Sequence, residues 1–168
     1  MAARNPQPAE VETPPFRSAA FLLSSLGFAV SRRFHEVLGP LELEPGEFAL
    51  MRAVSAGDGE PQNALAERLH ISPSWMVAVV DQLERRELLE RRPHARDRRV
   101  RNLQLTAAGK KLLKQAERRA QQFDRQVSDP LTEPELQQLL ELLQRVAAGL
   151  DLQPGAAHPA LRDRDSGS

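Results

Sequence analysis

Residues 65–113 read LAERLHISPSWMVAVVDQLERRELLERRPHARDRRVRNLQLTAAGKKLL, and this stretch decides the fold. Ser72 followed by Pro73 predicts a helix start, because serine caps free amide groups and proline suits the first turn. The helix is expected over 72–86, after a shorter helix over 62–69. Residues 88–105 then change to the alternation of two strands, with the polar segment PHARDR between them. The pattern predicts two adjoining helices followed by a hairpin with a charged tip.

Further helices are expected on both sides of this stretch. Apolar residues at helical spacing predict one over 16–38, ended by Gly39 and Pro40, and a short one over 47–55. Thr106 should cap a long helix to about 127, and Thr132 a last helix over 133–150. The broad leucine-rich face of that last helix requires a partner. The fold class is therefore mainly α with one small hairpin.

The two ends of the chain differ in composition from the rest. Residues 1–15 contain four prolines and few large apolar groups, and 152–168 have a similar composition. Such segments bury too little surface to offset the entropy of ordering. We expect a disordered arm over 1–15, an ordered body over 16–151 and a disordered tail over 152–168.

Composition excludes several functions. The 168 residues include no cysteine, which rules out disulfides, thiolate-bound zinc and sensing by thiol oxidation. The longest apolar stretch, 19–30, is too short to cross a bilayer, and the N-terminus does not resemble a secretion signal. We therefore expect a cytoplasmic protein.

The charge of the chain is balanced in total but uneven along its length. Lys and Arg number 23 and so do Asp and Glu, but residues 85–101 hold eight basic and three acidic residues, a net charge of +5. All eight basic residues are arginine, whose planar fork suits phosphate and base edges. A solvated basic face would explain such a run on its own, but its position at a hairpin after short helices favours nucleic-acid binding.

The motifs LAERL, SPS, VVDQLERRELLERR, DRR and LTAAG follow one another at spacings that closely resemble the MarR (multiple antibiotic resistance regulator) family of bacterial transcription factors. The resemblance covers about residues 41–115. It implies a winged helix-turn-helix lobe over about 41–105 and dimerisation helices over about 16–38 and 106–150. It further implies a homodimer on a near-palindromic operator, with repression relieved by a small, often phenolic, anion.

The helix over 72–86 is the expected recognition helix. Helix geometry turns Met76, Leu83 and either Val79 or Val80 toward the lobe's core together with Ile71. The opposite face would enter the major groove. The residues assigned to DNA contact there are Ser72, Ser74, Trp75, Val77, Ala78 and Gln82. Family members usually carry polar groups near the positions of Trp75 and Val77 and often arginine at the position of Ala78. This chain lacks those groups, so few side chains of the helix can read bases by hydrogen bonds. For Trp75, packing over the first turn or lining a pocket behind the helix is as good an explanation as DNA contact.

The hairpin tip is the second expected DNA contact. It holds Arg96, Asp97, Arg98 and Arg99. By resemblance, Arg99 enters the minor groove and Asp97 orients it through a charge-assisted hydrogen bond. The plain alternative for Asp97 is a turn former in an ordinary ion pair within the hairpin.

An enzyme is the first competing class. The four histidines fall on separate elements, and no catalytic or phosphate-binding motif is present. We therefore expect no enzymatic activity, no cofactor and no bound metal. One histidine has a possible binding role, because family members often shape an effector cavity at the first helix. His35 could join Phe28, Arg32 and Arg52 around an anionic aromatic effector. Side chains of this kind on an amphipathic helix are more often core or surface residues.

The second competing class is a winged-helix module that binds protein, since a fold does not fix a function. The apolar recognition face favours this alternative, and the arginine-rich wing favours DNA. A basic wing without base-reading residues on the helix would also suit DNA binding of low sequence specificity.

Overall fold

The computed structural model describes residues 18–57, 59–93, 101–150 and 152. The predicted arm over 1–15 lies outside these residues, as do the hairpin tip and all of the predicted tail except Leu152. The described part contains six α-helices and two β-strands. They are α1 (Ala19–Leu38), α2 (Pro45–Ala56), α3 (Gln62–Leu69), α4 (Pro73–Arg85), β1 (Leu89–Pro93), β2 (Arg101–Leu105), α5 (Ala107–Ser128) and α6 (Glu133–Gly149). None of these helices is long and apolar enough to span a membrane.

The predicted helix starts are confirmed by their capping contacts. The Ser72 hydroxyl accepts a hydrogen bond from the Trp75 amide at 3.2 Å, and Thr106 Oγ1 accepts one from the Gly109 amide at 3.0 Å. At α6, the Glu135 carboxylate accepts from the amide of Thr132 at 2.8 Å, which closes a capping box. The Thr132 hydroxyl also donates to this carboxylate. The hydrogen bonds from the amide and the hydroxyl together lower the pKa of Glu135.

Three turns depend on left-handed residues that are not glycine. They are Glu42 (φ 50°), His70 (φ 51°) and Glu87 (φ 56°). After α3, the Ile71 amide donates to the Ala66 carbonyl at 3.1 Å, and after α4 the Leu88 amide donates to the Leu83 carbonyl at 2.9 Å. This six-to-one hydrogen bond usually accompanies a glycine at the left-handed position. His70 and Glu87 therefore turn the chain sharply on either side of α4.

The chain divides into two compact units, one up to Arg33 and one from Phe34 onward. In the second unit a continuous apolar core joins α2, α3, α4, the hairpin and α5. Phe34, near the end of α1, contacts Phe48 of α2 edge to face with ring centres 5.8 Å apart and Phe123 of α5 at 5.9 Å. The largest fully buried side chains are Leu38, Leu50, Met51, Leu65, Met76, Val80, Leu83, Leu89 and Leu103.

The two strands form an antiparallel hairpin whose register runs from Leu89 opposite Leu105 to Pro93 opposite Arg101. A bridge between Pro61 and Asn102 adds a short third edge, where the Leu103 amide donates to the Glu60 carbonyl at 3.2 Å. The segment before α3 therefore fixes the base of the wing.

Gly109 fixes the place where α5 meets the wing. A Cβ atom on this residue would lie 1.9 Å from the Leu88 carbonyl oxygen, far inside van der Waals contact. The Thr106 hydroxyl also donates to the Glu87 carbonyl at 2.6 Å. The motif LTAAG therefore requires its glycine for the close approach of α5 to the Leu88 carbonyl.

Helix α6 leaves its apolar face uncovered, as the broad leucine pattern predicts. None of its residues is buried. The exposed apolar side chains at this end of the chain are Leu139, Leu140, Leu142, Leu143, Val146, Leu150 and Leu152. Within the first unit, α1 likewise exposes apolar side chains, and these are Phe21, Leu22, Leu26, Phe28 and Val30. Apolar surface of this extent on a folded protein indicates an interface.

Candidate nucleic-acid interface

Helix α4 has one buried face and one open face. Met76, Val80 and Leu83 are at most 1% exposed and lie in the core with Ile71, as the helical spacing predicts. Val79 is half-buried at the edge of this core. The chain enters α4 through the left-handed turn at His70. The open face is thus held by a rigid helix whose position is fixed by its own core contacts.

The residues predicted to contact DNA lie on or beside this open face. Ser74, Val77, Ala78 and Gln82 are exposed, and Val77 is 45% exposed. The Ser72 hydroxyl lies 3.1 Å from that of Ser74, next to the first turn. The structure therefore brings together the short side chains and Gln82 that could meet base edges.

For Trp75 the structure shows the packing role, and DNA contact stays a prediction. The indole packs against the apolar core and is only partly exposed. Core packing therefore accounts for part of the side chain, and the remainder borders the open face.

A groove of about 760 Å³ lies between α3, α4 and the start of β2. Its polar side chains include Gln62 and Asn63 at the first turn of α3, His70 in the turn and Arg101 on β2; Pro73 and Val77 line the α4 side. In helix-turn-helix proteins the first of the two helices crosses the DNA backbone while the second enters the groove. Amide and guanidinium donors at this position suit phosphate oxygens.

Arg91 joins the wing to both helices of the helix-turn-helix. Its Nη2 atom lies 2.6 Å from Asp81 Oδ1, and its Nη1 atom forms an ion pair with Glu84. Its Nε–H donates to Gln62 Oε1 at 3.0 Å, and its backbone amide donates to Glu84 Oε1 at 2.9 Å. One side chain of β1 therefore holds α3 and α4, and it engages Asp81, the residue before Gln82. Sequence pattern does not distinguish Arg91 from its neighbours.

Arg86 has a similar role at the other end of α4. Its Nη1 atom lies 3.1 Å from Glu47 Oε1, and Glu47 is the one buried charged residue of the described chain, at 3% exposure. Glu47 also accepts a hydrogen bond from the Glu44 amide at 2.9 Å, which caps α2. The pair therefore fixes the end of α4 to the start of α2.

The basic segment 85–101 thus has two kinds of arginine. Arg86 and Arg91 are tied to other elements, and Arg92 pairs with Glu90 on its own strand at 2.6 Å. Arg85 and Arg101 are exposed and form no ion pair among the described residues. The predicted tip contacts, Arg96, Asp97, Arg98 and Arg99, lie outside the described residues, so their roles stay predictions.

The four residues predicted to bind an effector are placed as follows. His35 Nδ1 lies 3.3 Å from Glu44 Oε2, and the Arg52 guanidinium stands over the Phe48 ring at 5.8 Å. Phe28 is 75% exposed and Arg32 is exposed. Phe28 and Arg32 belong to the first unit and the other two to the second. The shared pocket stays a prediction. Within the described ranges, no group of three or more His, Asp or Glu side chains could hold a metal.

These features define a winged helix-turn-helix protein: two helices joined by a tight turn, a hairpin braced against both, and a helix with one open face. The profile of the MarR family matches residues 43–100. The chain is 30% identical over 119 residues to a transcriptional regulatory protein for the hcr operon of Thauera aromatica, covering 70% of this chain and 72% of the relative. It is 32% identical over 105 residues to the HTH-type transcriptional regulator MhqR of Bacillus subtilis, covering 62% and 72%.

A solved structure has the same fold. The transcriptional repressor CouR, bound to a 23-mer DNA duplex, superposes with a TM-score of 0.71 at 26% identity and covers 83% of this chain and 99% of its own. The chain therefore belongs to the MarR family and is a transcriptional regulator, which confirms the fold and family predicted from the sequence.

Proposed function

We propose that two copies of this chain form a repressor that binds a near-palindromic operator through α4 and the wing. The observation that carries the proposal is α4, a helix anchored by a fully buried face whose opposite face is open and lined by Ser74, Val77, Ala78 and Gln82. CouR, with the same fold, is a repressor bound to duplex DNA. A repressor of this kind needs no catalytic site, and the cytoplasm is where it would meet the chromosome.

The dimer is supported by the uncovered apolar faces. Helix α6 alone exposes five large apolar side chains, and α1 exposes five more. Pairing with a second copy would remove this surface from water. Two lobes related by a twofold axis would then meet half-sites about one helical turn apart.

Release of the operator by a small anionic aromatic effector is the proposed regulation. The residues predicted from the sequence to take part are Phe28, Arg32, His35 and Arg52. The effector must bind the DNA-free arrangement of the lobes more tightly than the DNA-bound one, since only a difference in affinity shifts the balance.

The operator is tested by selection from a randomised duplex library, followed by gel-shift titration. We expect a palindromic sequence to be enriched. Arg99→Ala should lower the affinity for this operator by ten-fold or more. Ser74→Ala combined with Gln82→Ala should also lower the affinity, and should relax the selected sequence at the contacted positions. Arg33→Ala, on an exposed side chain of α1, is the control and should bind as the wild type does.

Binding by the Arg99 variant at wild-type affinity would refute the wing's role. A library that enriches no sequence would refute the operator. That second result would favour the alternatives that the apolar α4 face supports, a protein-binding module or DNA binding of low specificity, because Val77 and Ala78 offer only methyl contacts. Competition with bulk genomic DNA separates these two.

A further inference from the structure

Helix α5 carries a row of positive charge that the proposed operator contact does not use. Its exposed basic residues on one side are Lys110, Lys111, Lys114, Arg118 and Arg125, here termed the α5 stripe. At 3.6 residues per turn these five positions fall within an arc of about 100° and extend over roughly 22 Å of helix. The arc is opposite the buried face formed by Leu113, Ala116 and Phe123. It contains no acidic residue.

The stripe has no structural partner and works against the stability of its own helix. Among the described residues, none of its five side chains forms an ion pair or donates a hydrogen bond. Lys110, Lys114 and Arg118 are spaced four apart, where like charges repel. The first turn of α5 has no acidic residue to complement the helix dipole, and the lysines near it oppose that dipole. Charges placed in this way indicate an anionic ligand.

The surroundings of the stripe favour nucleic acid over an acidic protein. The other residues in the arc are small or polar, including Ala107 and Gln121, and no large apolar side chain is exposed there. Protein interfaces are centred on aromatic or other apolar anchors and are depleted of lysine. Contacts to phosphate use lysine, arginine and glutamine without such anchors.

The stripe begins at the base of the wing. Thr106 alone separates β2 from α5, and Lys110 lines a cavity of about 320 Å³ together with Gly59 and Gln104 at the base of the wing. Residues 102–109 carry no basic side chain, so the stripe is a positive surface separate from Arg101, which lies at the other end of β2.

We propose that the α5 stripe binds the phosphate backbone of DNA flanking the operator, independently of its sequence. The inference rests on the proposed function, because flanking DNA exists only where an operator is held. Its consequence is that affinity depends on the length of the duplex as well as on the operator sequence.

The test compares two triple variants of the full-length protein that each remove three positive charges. One is Lys111→Gln, Lys114→Gln and Arg118→Gln in the stripe; the matched control is Arg33→Gln, Arg119→Gln and Arg145→Gln, all exposed and outside the arc. Affinity is measured by fluorescence anisotropy on the selected operator, as a bare duplex of about 24 base pairs and with random flanks to about 70. Circular dichroism checks that both variants are folded.

The stripe variant should bind the long duplex at least about ten-fold more weakly than the control, and the bare duplex within two-fold of it. The slope of log affinity against log salt on the long duplex should fall by about 2 or more. Equal affinity of the two variants on the long duplex would overturn the proposal, as would an equal loss on both duplexes. Stripe-dependent binding of a poly-glutamate peptide without a DNA length effect would overturn it in favour of an acidic protein.

A failure of the proposed operator function can be distinguished from a failure of the α5 proposal. If wild-type protein binds selected and random bare duplexes equally, the operator function is wrong, and the stripe is then judged by the same comparison on long random duplexes. Loss of affinity there in the stripe variant alone would support phosphate binding by α5.

Discussion

Replacing Arg91 by methionine should both destabilise the lobe and weaken DNA binding. Methionine keeps much of the apolar stem but removes the ion pairs with Asp81 and Glu84 and the hydrogen bond to Gln62. The side chain of Asp81 is 46% exposed, that of Glu84 is 31% exposed and that of Arg91 is 23% exposed. At about 0.5 to 1 kcal/mol for each partly exposed contact, the expected loss is about 1.5 to 3 kcal/mol.

Arg92→Met is the matched control. Arg92 follows Arg91 on the same strand, but its side chain is 59% exposed and pairs only with Glu90, two residues away. An exposed pair of this kind contributes about 0 to 0.5 kcal/mol. The two variants change the charge and composition of the protein identically, so their difference isolates the contacts that join β1 to α3 and α4.

The assay is urea unfolding followed by circular dichroism at one fixed protomer concentration, since the stability of a dimer depends on concentration. With a typical urea dependence of about 2 kcal/mol per molar, the Arg91 variant should unfold at about 1 M less urea than the wild type. A double-mutant cycle with Asp81→Asn should give a coupling energy above about 0.5 kcal/mol. In gel shifts well below the transition, Arg91→Met should bind the operator at least several-fold more weakly than Arg92→Met.

Equal urea midpoints for the two variants, together with additive effects of Arg91→Met and Asp81→Asn, would refute this reasoning. In that case the ion pairs would be exchanged for water at no cost, and the wing would be held by its apolar residues alone.

Two further substitutions test other contacts that position the lobe. Gly109→Ala should cost about 3 kcal/mol in urea unfolding, because the new methyl group collides with the Leu88 carbonyl, whereas Gly149→Ala, which meets no atom within 4 Å, should be neutral or stabilising; equal midpoints would contradict the close approach. Glu47→Gln should cost about 1 to 3 kcal/mol by the same assay, because Arg86 loses its buried counter-charge, and a loss below 0.5 kcal/mol would show that this pair is not formed in solution.

Elements with strong local signals could be predicted from the sequence. The bounds of α3 match the predicted 62–69, and α4, α5 and α6 begin directly after Ser72, Thr106 and Thr132. Serine and threonine caps act through the next three residues of the chain, so their effect is visible in a short window. The buried face of α4 could be predicted for a similar reason, since spacing along one helix fixes which side chains share a face.

Contacts between distant residues could not be predicted in this way. The strand edge at Pro61, the left-handed conformation of His70 and the joining role of Arg91 each depend on where other elements come to lie. His70 gives no sign in the sequence because glycine usually occupies such a position. The sequence shows Gly109 as part of the motif LTAAG, but it does not show why a glycine is required there. The carbonyl that this residue approaches belongs to Leu88, twenty-one residues earlier.

The arginine-rich segment shows how pairing changes an argument from charge. Counted in sequence, 85–101 offers eight arginines, or sixteen in the proposed dimer, for which full phosphate neutralisation would give a salt slope of roughly −14. Arg86, Arg91 and Arg92 are committed to carboxylates within the protein. Five remain, so the wing and its base support a slope no steeper than roughly −9. Arg86 and Arg91 instead hold α4 and the wing in one arrangement, whereas Arg92 pairs within its own strand. In the proposed complex the remaining charges would then meet DNA in a fixed register. Three of the eight arginines of this segment are thus accounted for by contacts within the protein, and a separate basic surface such as α5 is needed if affinity is more strongly salt-dependent than the wing allows.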